Sequence, residues 1–115
     1  MRIVAGRFKG KAVDAPKGLG TRPTSDRVRE ALFNTLTYGA PEIEFEGIRV
    51  LDLFAGSGAL GLEAVSRGAR YCLFIEEDAG ARGTIRRNVE RLGLTGITKI
   101  WRRDANRLGP AGNLP

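Results

Sequence analysis

The sequence predicts an α/β fold: a parallel sheet flanked by helices, present only as its first three strands, with a small N-terminal β-hairpin and helix extension ahead of it. Three observations carry this. From residue 49 the pattern alternates strand, helix, strand, helix, strand. Two of the strands hold continuous apolar runs, Val50-Leu51 and Leu73-Phe74-Ile75, as expected where helices cover both faces of a parallel sheet. A glycine-rich turn follows the first strand and opens the next helix.

Taken in order, residues 1–20 place Gly6, Gly10, Pro16, Gly18 and Gly20 between short apolar stretches, which reads as a small basic hairpin. Thr24 caps a helix over residues 25–36, whose buried stripe is Val28, Ala31, Leu32 and Leu36 and whose opposite side carries Arg27, Arg29 and Glu30. A loop with Gly39, Pro41, Glu42, Glu44 and Glu46 closes this section, dividing the chain into residues 1–46 and 47–115. Strands are predicted over 49–54, 71–76 and 97–102, with helices over 59–67 and 79–92. Gly68 and Gly93 stand just past the two helices, where a left-handed cap favours glycine. Asp78 caps the second, which buries Ala81, Ile85, Val89 and Leu92. Residues 108–115 read as loop, so the sheet is left with one wing.

Composition narrows the function. At 115 residues the chain has material for one core. No apolar run approaches the roughly 20 residues of a membrane span, and Met1-Arg2-Ile3-Val4 has no secretory h-region, so a cytoplasmic location is expected. The single cysteine, Cys72, sits in an apolar strand and reads as a buried thiol. There is no histidine, which removes Ser-His-Asp and Cys-His catalysis and argues against a metal site. The net charge is +6, and residues 1–30 alone net +5, with Arg2, Arg7, Lys9, Lys11 and Arg22 among their bases. Such a segment attracts a polyanion, although a solvated face explains a bare charge excess equally well.

The most informative stretch is Asp52-Leu53-Phe54-Ala55-Gly56-Ser57-Gly58-Ala59-Leu60-Gly61. It contains GxGxxG at Gly56, Gly58 and Gly61, with Glu76 twenty positions beyond Gly56. Glycines there allow a tight turn and close approach of a nucleotide-type cofactor to a helix N-terminus. Asp52 discriminates among such cofactors. A pyrophosphate over the loop would lie beside a carboxylate, whereas the ammonium and sulfonium of S-adenosylmethionine would be attracted. Three acids, Asp52, Glu76 and Asp104, end three successive strands and so meet along one sheet edge, where open α/β folds bind ligands. Glu76 suits a ribose diol and Asp104 an adenine amino group.

Residues 50–64 resemble the first motif of class I methyltransferases. With Thr21-Arg22-Pro23-Thr24-Ser25-Asp26-Arg27-Val28-Arg29-Glu30-Ala31-Leu32-Phe33-Asn34 and the opening Arg2-Ile3-Val4-Ala5-Gly6-Arg7-Phe8-Lys9-Gly10, the chain resembles the RsmD family of bacterial 16S ribosomal RNA guanine-N2 methyltransferases. That resemblance implies a Rossmann-like sheet, S-adenosylmethionine as cofactor, and 16S ribosomal RNA or an assembling small subunit as partner of a monomeric enzyme. It implies a cofactor pocket built from Asp52, Phe54, Ala55, Gly56, Ser57, Gly58 and Glu76, with Asp104 and Ala105 at the adenine. It implies RNA contacts in the N-terminal section, from Arg2, Arg7, Lys9, Lys11, Arg22 and Thr24. The family's fourth-strand signature, Asn or Asp followed by Pro-Pro and an aromatic residue, does not occur in these residues, so no catalytic residue is assigned. The alternatives are a catalytically incomplete cofactor- or RNA-binding fragment, a class I methyltransferase acting on another nucleic acid, and, from the literal glycine spacing, half of an NAD-dependent oxidoreductase.

Overall fold

The structure is a computed structural model that describes residues 1–15, 26–39, 42–53, 55–109 and 115. Strands β1 (Arg49–Leu53), β2 (Tyr71–Ile75) and β3 (Thr98–Trp101) are parallel and stand in the order β1-β2-β3. Helix α1 (Asp26–Tyr38) precedes them, α2 (Ala59–Ser66) joins β1 to β2, and α3 (Ala79–Arg91) joins β2 to β3. The register pairs Asp52 with Phe74 and Leu53 with Ile75, so β1 and β2 end level. Asp78 caps α3 by accepting from the Ala81 N–H at 2.7 Å, and Gly68 and Gly93 follow α2 and α3 at positive φ, as the sequence led one to expect.

Both crossovers place their helix on one face of the sheet, as right-handed connections between successive neighbours require. Gly61 of α2 lies against β1 and β2: a Cβ there would stand 2.6 Å from both Cys72 Sγ and a Phe74 ring carbon. Ile85 of α3 reaches the same Phe74 region beside Gly58. The expectation of helices on both faces therefore needs correction at β1. Val50 and Asp52 face α2, but Leu51 and Leu53 point the other way and remain 41% and 43% exposed. No helix covers them among the described residues.

Helix α1 is turned differently from its predicted stripe: Val28, Ala31 and Leu32 face outward, Val28 58% and Leu32 41% exposed, and Leu36 alone of the stripe packs against the core, beside the fully inward Arg29 and Phe33. The reason is an ion pair that the apolar pattern conceals: Arg29 Nε lies 3.1 Å from Glu63 Oε1 on α2, both side chains being buried. Phe33, one turn on, packs on Phe45 at 5.2 Å between centroids and receives the Arg67 guanidinium over its ring at 4.7 Å.

The N-terminal hairpin is present. Ile3 N–H donates to the Lys11 carbonyl at 2.9 Å and Val13 N–H to that of Met1 at 2.8 Å, around an antiparallel bridge between Arg2 and Ala12. Its inward residues Ile3 and Val13 belong, with Phe33 and Phe45, to the same buried cluster as Leu62, Val65, Phe74, Ile85 and Val89.

Candidate functional site

The turn after β1 is held from two sides. Gly58 N–H donates to the Ala55 carbonyl at 2.8 Å, closing the turn, and Ala55 N–H donates to the Ile75 carbonyl at 3.0 Å, pinning it to the end of β2. Gly58 is the N-cap of α2 at φ +80, a left-handed conformation that a glycine adopts without strain. Having no side chain, it leaves the helix's first N–H groups to others. Ser57 Oγ accepts from Ala59 N–H at 3.3 Å, and Asp52 Oδ2 accepts from Gly61 N–H at 3.0 Å. Asp52 thus supplies from the preceding strand the cap that the glycine cannot.

That bond occupies one carboxylate oxygen; Oδ1 has no hydrogen-bond partner among the described residues. Asp52 is 7% exposed, and burial pushes its carboxyl up to about 7, against the pull of the Gly61 N–H and with a further push from the nearby Glu76 charge. A carboxylate so placed gains from a cation and loses from another anion. Its chemistry therefore fits the ammonium or sulfonium of S-adenosylmethionine better than a pyrophosphate. Behind it, burial and then the Asp52 charge hold the Cys72 thiol well above its ordinary range, so this cysteine is a sealed packing residue.

Glu76 follows β2 and is tied directly to the glycine turn. Its Oε1 accepts from Gly56 N–H at 2.8 Å and its Oε2 from Asp78 N–H at 3.0 Å, while its own N–H donates to the Trp101 carbonyl at 3.1 Å. Each carboxylate oxygen keeps a further lone pair, enough to accept from two neighbouring hydroxyls. The structure thus brings Asp52, Ala55, Gly56, Ser57, Gly58 and Glu76 together at one sheet edge.

Asp104 and Ala105 lie past the end of β3. Asp104 caps its own 3-10 turn, accepting from Asn106 N–H at 2.9 Å, with Arg107 Nε at 3.8 Å, and it makes no hydrogen bond to Asp52 or Glu76. Phe54, Arg22 and Thr24 fall outside the described residues.

The basic side chains of the hairpin are exposed. Arg2 donates to the Gly10 carbonyl at 2.8 Å, Arg7 lies over the Phe8 ring at 4.7 Å, and Lys9 and Lys11 project from the turn. That turn docks on the C-terminal end of α2, where Ser66 accepts from Arg7 N–H and Phe8 N–H at 2.9 and 3.0 Å. Arg7 is therefore attached at the opposite end of this eight-residue helix, itself about 12 Å long, from the glycine turn. The other end of the hairpin, at Asp14, meets α3 beside the glycine turn.

Three residues that shape the site escaped the sequence reading. Glu63, fully buried, accepts from Val4 N–H, Ala5 N–H, Arg29 Nε and Arg67 Nε at 2.9 to 3.1 Å, fastening the hairpin and α1 to the helix that carries the glycine turn. Arg29 also donates to the Arg2 carbonyl. Asn88, on α3, bonds both the hairpin and the turn. The available signal was polarity out of place: Glu63 interrupts an apolar helix, and Asn88 sits beside Val89 in a buried stripe.

Residues 1–112 match the family described as conserved hypothetical protein 95. The chain belongs to the RsmD family. Ribosomal RNA small subunit methyltransferase D of Escherichia coli (strain K12) is 46% identical over 92 residues, 80% of this chain and 44% of that protein. The solved structure of yhhF from Escherichia coli superposes with a TM-score of 0.75 at 38% identity, covering 91% of this chain and 53% of that one. An S-adenosylmethionine-dependent methyltransferase from Thiobacillus denitrificans, solved with S-adenosyl-L-homocysteine, gives a TM-score of 0.59 at 26% identity over 73% of this chain and 32% of that one. The three strands and their helices are thus part of a class I methyltransferase Rossmann-like fold. The chain spans about half the length of the curated relatives it matches.

Proposed function

We propose that this chain forms the cofactor-binding part of an S-adenosylmethionine-dependent methyltransferase that methylates the exocyclic N2 of a guanine in 16S ribosomal RNA. The observation that carries the reading is the buried Asp52 carboxylate, one of whose oxygens has no hydrogen-bond partner among the described residues, at the α2 N-terminus and next to Glu76. On this reading Asp52 faces the methionine ammonium, the turn at Gly56, Ser57 and Gly58 lies against the amino-acid portion, and Glu76 accepts from the ribose hydroxyls. Asp104 with the Ala105 backbone receives the adenine from the end of β3. Residues 1–46 supply RNA contacts through Arg2, Arg7, Lys9, Lys11, Arg22 and Thr24, and residues 47–115 hold the cofactor. The cofactor supplies an electrophilic methyl group. The guanine amine, its lone pair delocalised into the ring, is a weak nucleophile and needs acceptors that aim it at that group, a task no residue of this chain is assigned.

Calorimetric titration with S-adenosyl-L-homocysteine, repeated in excess NAD, tests the cofactor. Binding that NAD fails to displace supports the reading, whereas displacement would transfer the site to dinucleotide chemistry. A folded chain that binds neither ligand would remove residues 47–115 as a self-sufficient cofactor site.

A further inference from the structure

Asn88 is fully buried on α3, facing the hairpin on one side and the glycine turn on the other. Its Oδ1 accepts from Asp14 N–H at 2.8 Å and its Nδ2 donates to the Asp14 carbonyl at 3.0 Å, so the amide pairs with this backbone as a neighbouring strand would. The second Nδ2 hydrogen goes to the Ser57 carbonyl at 3.0 Å. The three bonds fix the amide's orientation, because a flip would set N–H against N–H and oxygen against two carbonyls. Asp14 is held again by Arg91, whose guanidinium lies 2.8 Å from its carboxylate and keeps that carboxyl below its usual range. The end of the basic hairpin and the turn of the candidate cofactor site thus share one buried side chain, which bonds directly to both.

We propose that Asn88 is a positioning residue that couples the two ligands: RNA on the hairpin steadies the glycine turn through Asn88, and an occupied turn steadies the hairpin. This rests on the proposed assignment of the hairpin to RNA and the turn to cofactor. The physical basis is reciprocal. A ligand that restricts one end of the Asp14–Asn88–Ser57 connection lowers the ordering cost of a ligand at the other, and each must strengthen the other by the same factor. Glu63 makes a second connection, but it reaches the far end of the hairpin and the body of α2, not the turn.

Hydrogen exchange of the chain with and without a short RNA stem-loop reads this without cofactor. RNA should slow exchange in residues 55–61 by about five-fold or more, the lower end of common allosteric couplings. Asn88→Asp keeps the acceptor for Asp14 N–H but loses both donations. Compared at saturating RNA, so that a change in RNA affinity does not enter, it should show no slowing in residues 55–61. Asn88→Ser, shorter and uncharged, gives the same comparison should the aspartate variant fold poorly. Asp14→Ala removes the Arg91 pair but keeps the backbone bonds to Asn88, and should retain the slowing. No slowing in the native chain, or slowing that survives in an Asn88 variant, overturns the coupling. The linked calorimetric reading, in which RNA tightens S-adenosyl-L-homocysteine in the native chain and not in the Asn88 variants, separates the two layers: native exchange protection with no S-adenosyl-L-homocysteine binding leaves Asn88 as the connection and removes residues 47–115 as a self-sufficient cofactor site.

Discussion

Asp52 caps a helix as a carboxylate while burial favours its neutral form, and this conflict makes its behaviour measurable. Its folded pKa of about 7 stands above the unfolded value of 3.8, so the folded state holds the proton more tightly. Its contribution to stability is therefore greatest below pH 4, falls as pH rises towards 7, and is level above that. A side-chain amide at this position cannot ionise yet keeps an acceptor for the Gly61 N–H. Asp52→Asn should then raise stability at pH 8, by up to about 4 kcal/mol at about 1.4 kcal/mol per pH unit, and change little at pH 4; chemical denaturation at the two pH values checks this. The same ionisation should govern the cofactor. Affinity for S-adenosyl-L-homocysteine should rise with pH up to about 7 and then flatten, and Asp52→Asn should bind weakly at every pH. Gly61 offers a steric test: a methyl group there meets Cys72 and Phe74 at 2.6 Å, so Gly61→Ala should cost about 1–3 kcal/mol by overpacking.

At the level of elements, α1 separates two readings of its amphipathicity. If Arg29 and Phe33 form its buried face, Phe33→Ala should cost about 3–5 kcal/mol, while Leu32→Lys on the exposed side should stay within about 0.5 kcal/mol; thermal melts of both variants decide. Glu63→Ala removes the carboxylate that pairs with the buried Arg29 guanidinium and accepts from the Val4 and Ala5 N–H groups, a loss of about 3–5 kcal/mol. The hairpin makes its prediction through charge. Neutralising Arg7, Lys9 and Lys11, which are exposed, should weaken RNA binding and reduce the slope of log affinity against log salt by roughly 2–3, with the melting temperature unchanged. An unaltered slope would move the RNA surface elsewhere. The hairpin, the order of strands and helices, and both glycine caps were legible because turn residues and apolar period report local geometry. The facing of α1 was not, since which side of a helix turns inward depends on what the partner presents, and here the partner presents a buried carboxylate.

For the whole molecule, the buried cluster runs from Ile3 and Val13 through Phe33 and Phe45 to Phe74 and Ile85, so the basic section and the sheet share one core. Deleting residues 1–14 should accordingly destabilise the sheet, exposing its partners and stripping Glu63 of two N–H donors, and a lowered denaturation midpoint would show it. The exposed Leu51 and Leu53 on β1 follow from the same architecture: successive strand order places both crossover helices on one face. What the sequence determined by itself is the α/β alternation, the glycine turn after β1, and the gathering of Asp52 and Glu76 at one strand-end edge, because period, turn chemistry and parallel topology act locally or by rule. The tertiary structure alone decided that Asp52 caps α2, that Arg29 is buried against Glu63, and that Asn88 joins the hairpin to the turn. Those contacts link residues 9 to 74 positions apart, and no local pattern records a hydrogen bond whose two ends meet only when the chain has closed on itself.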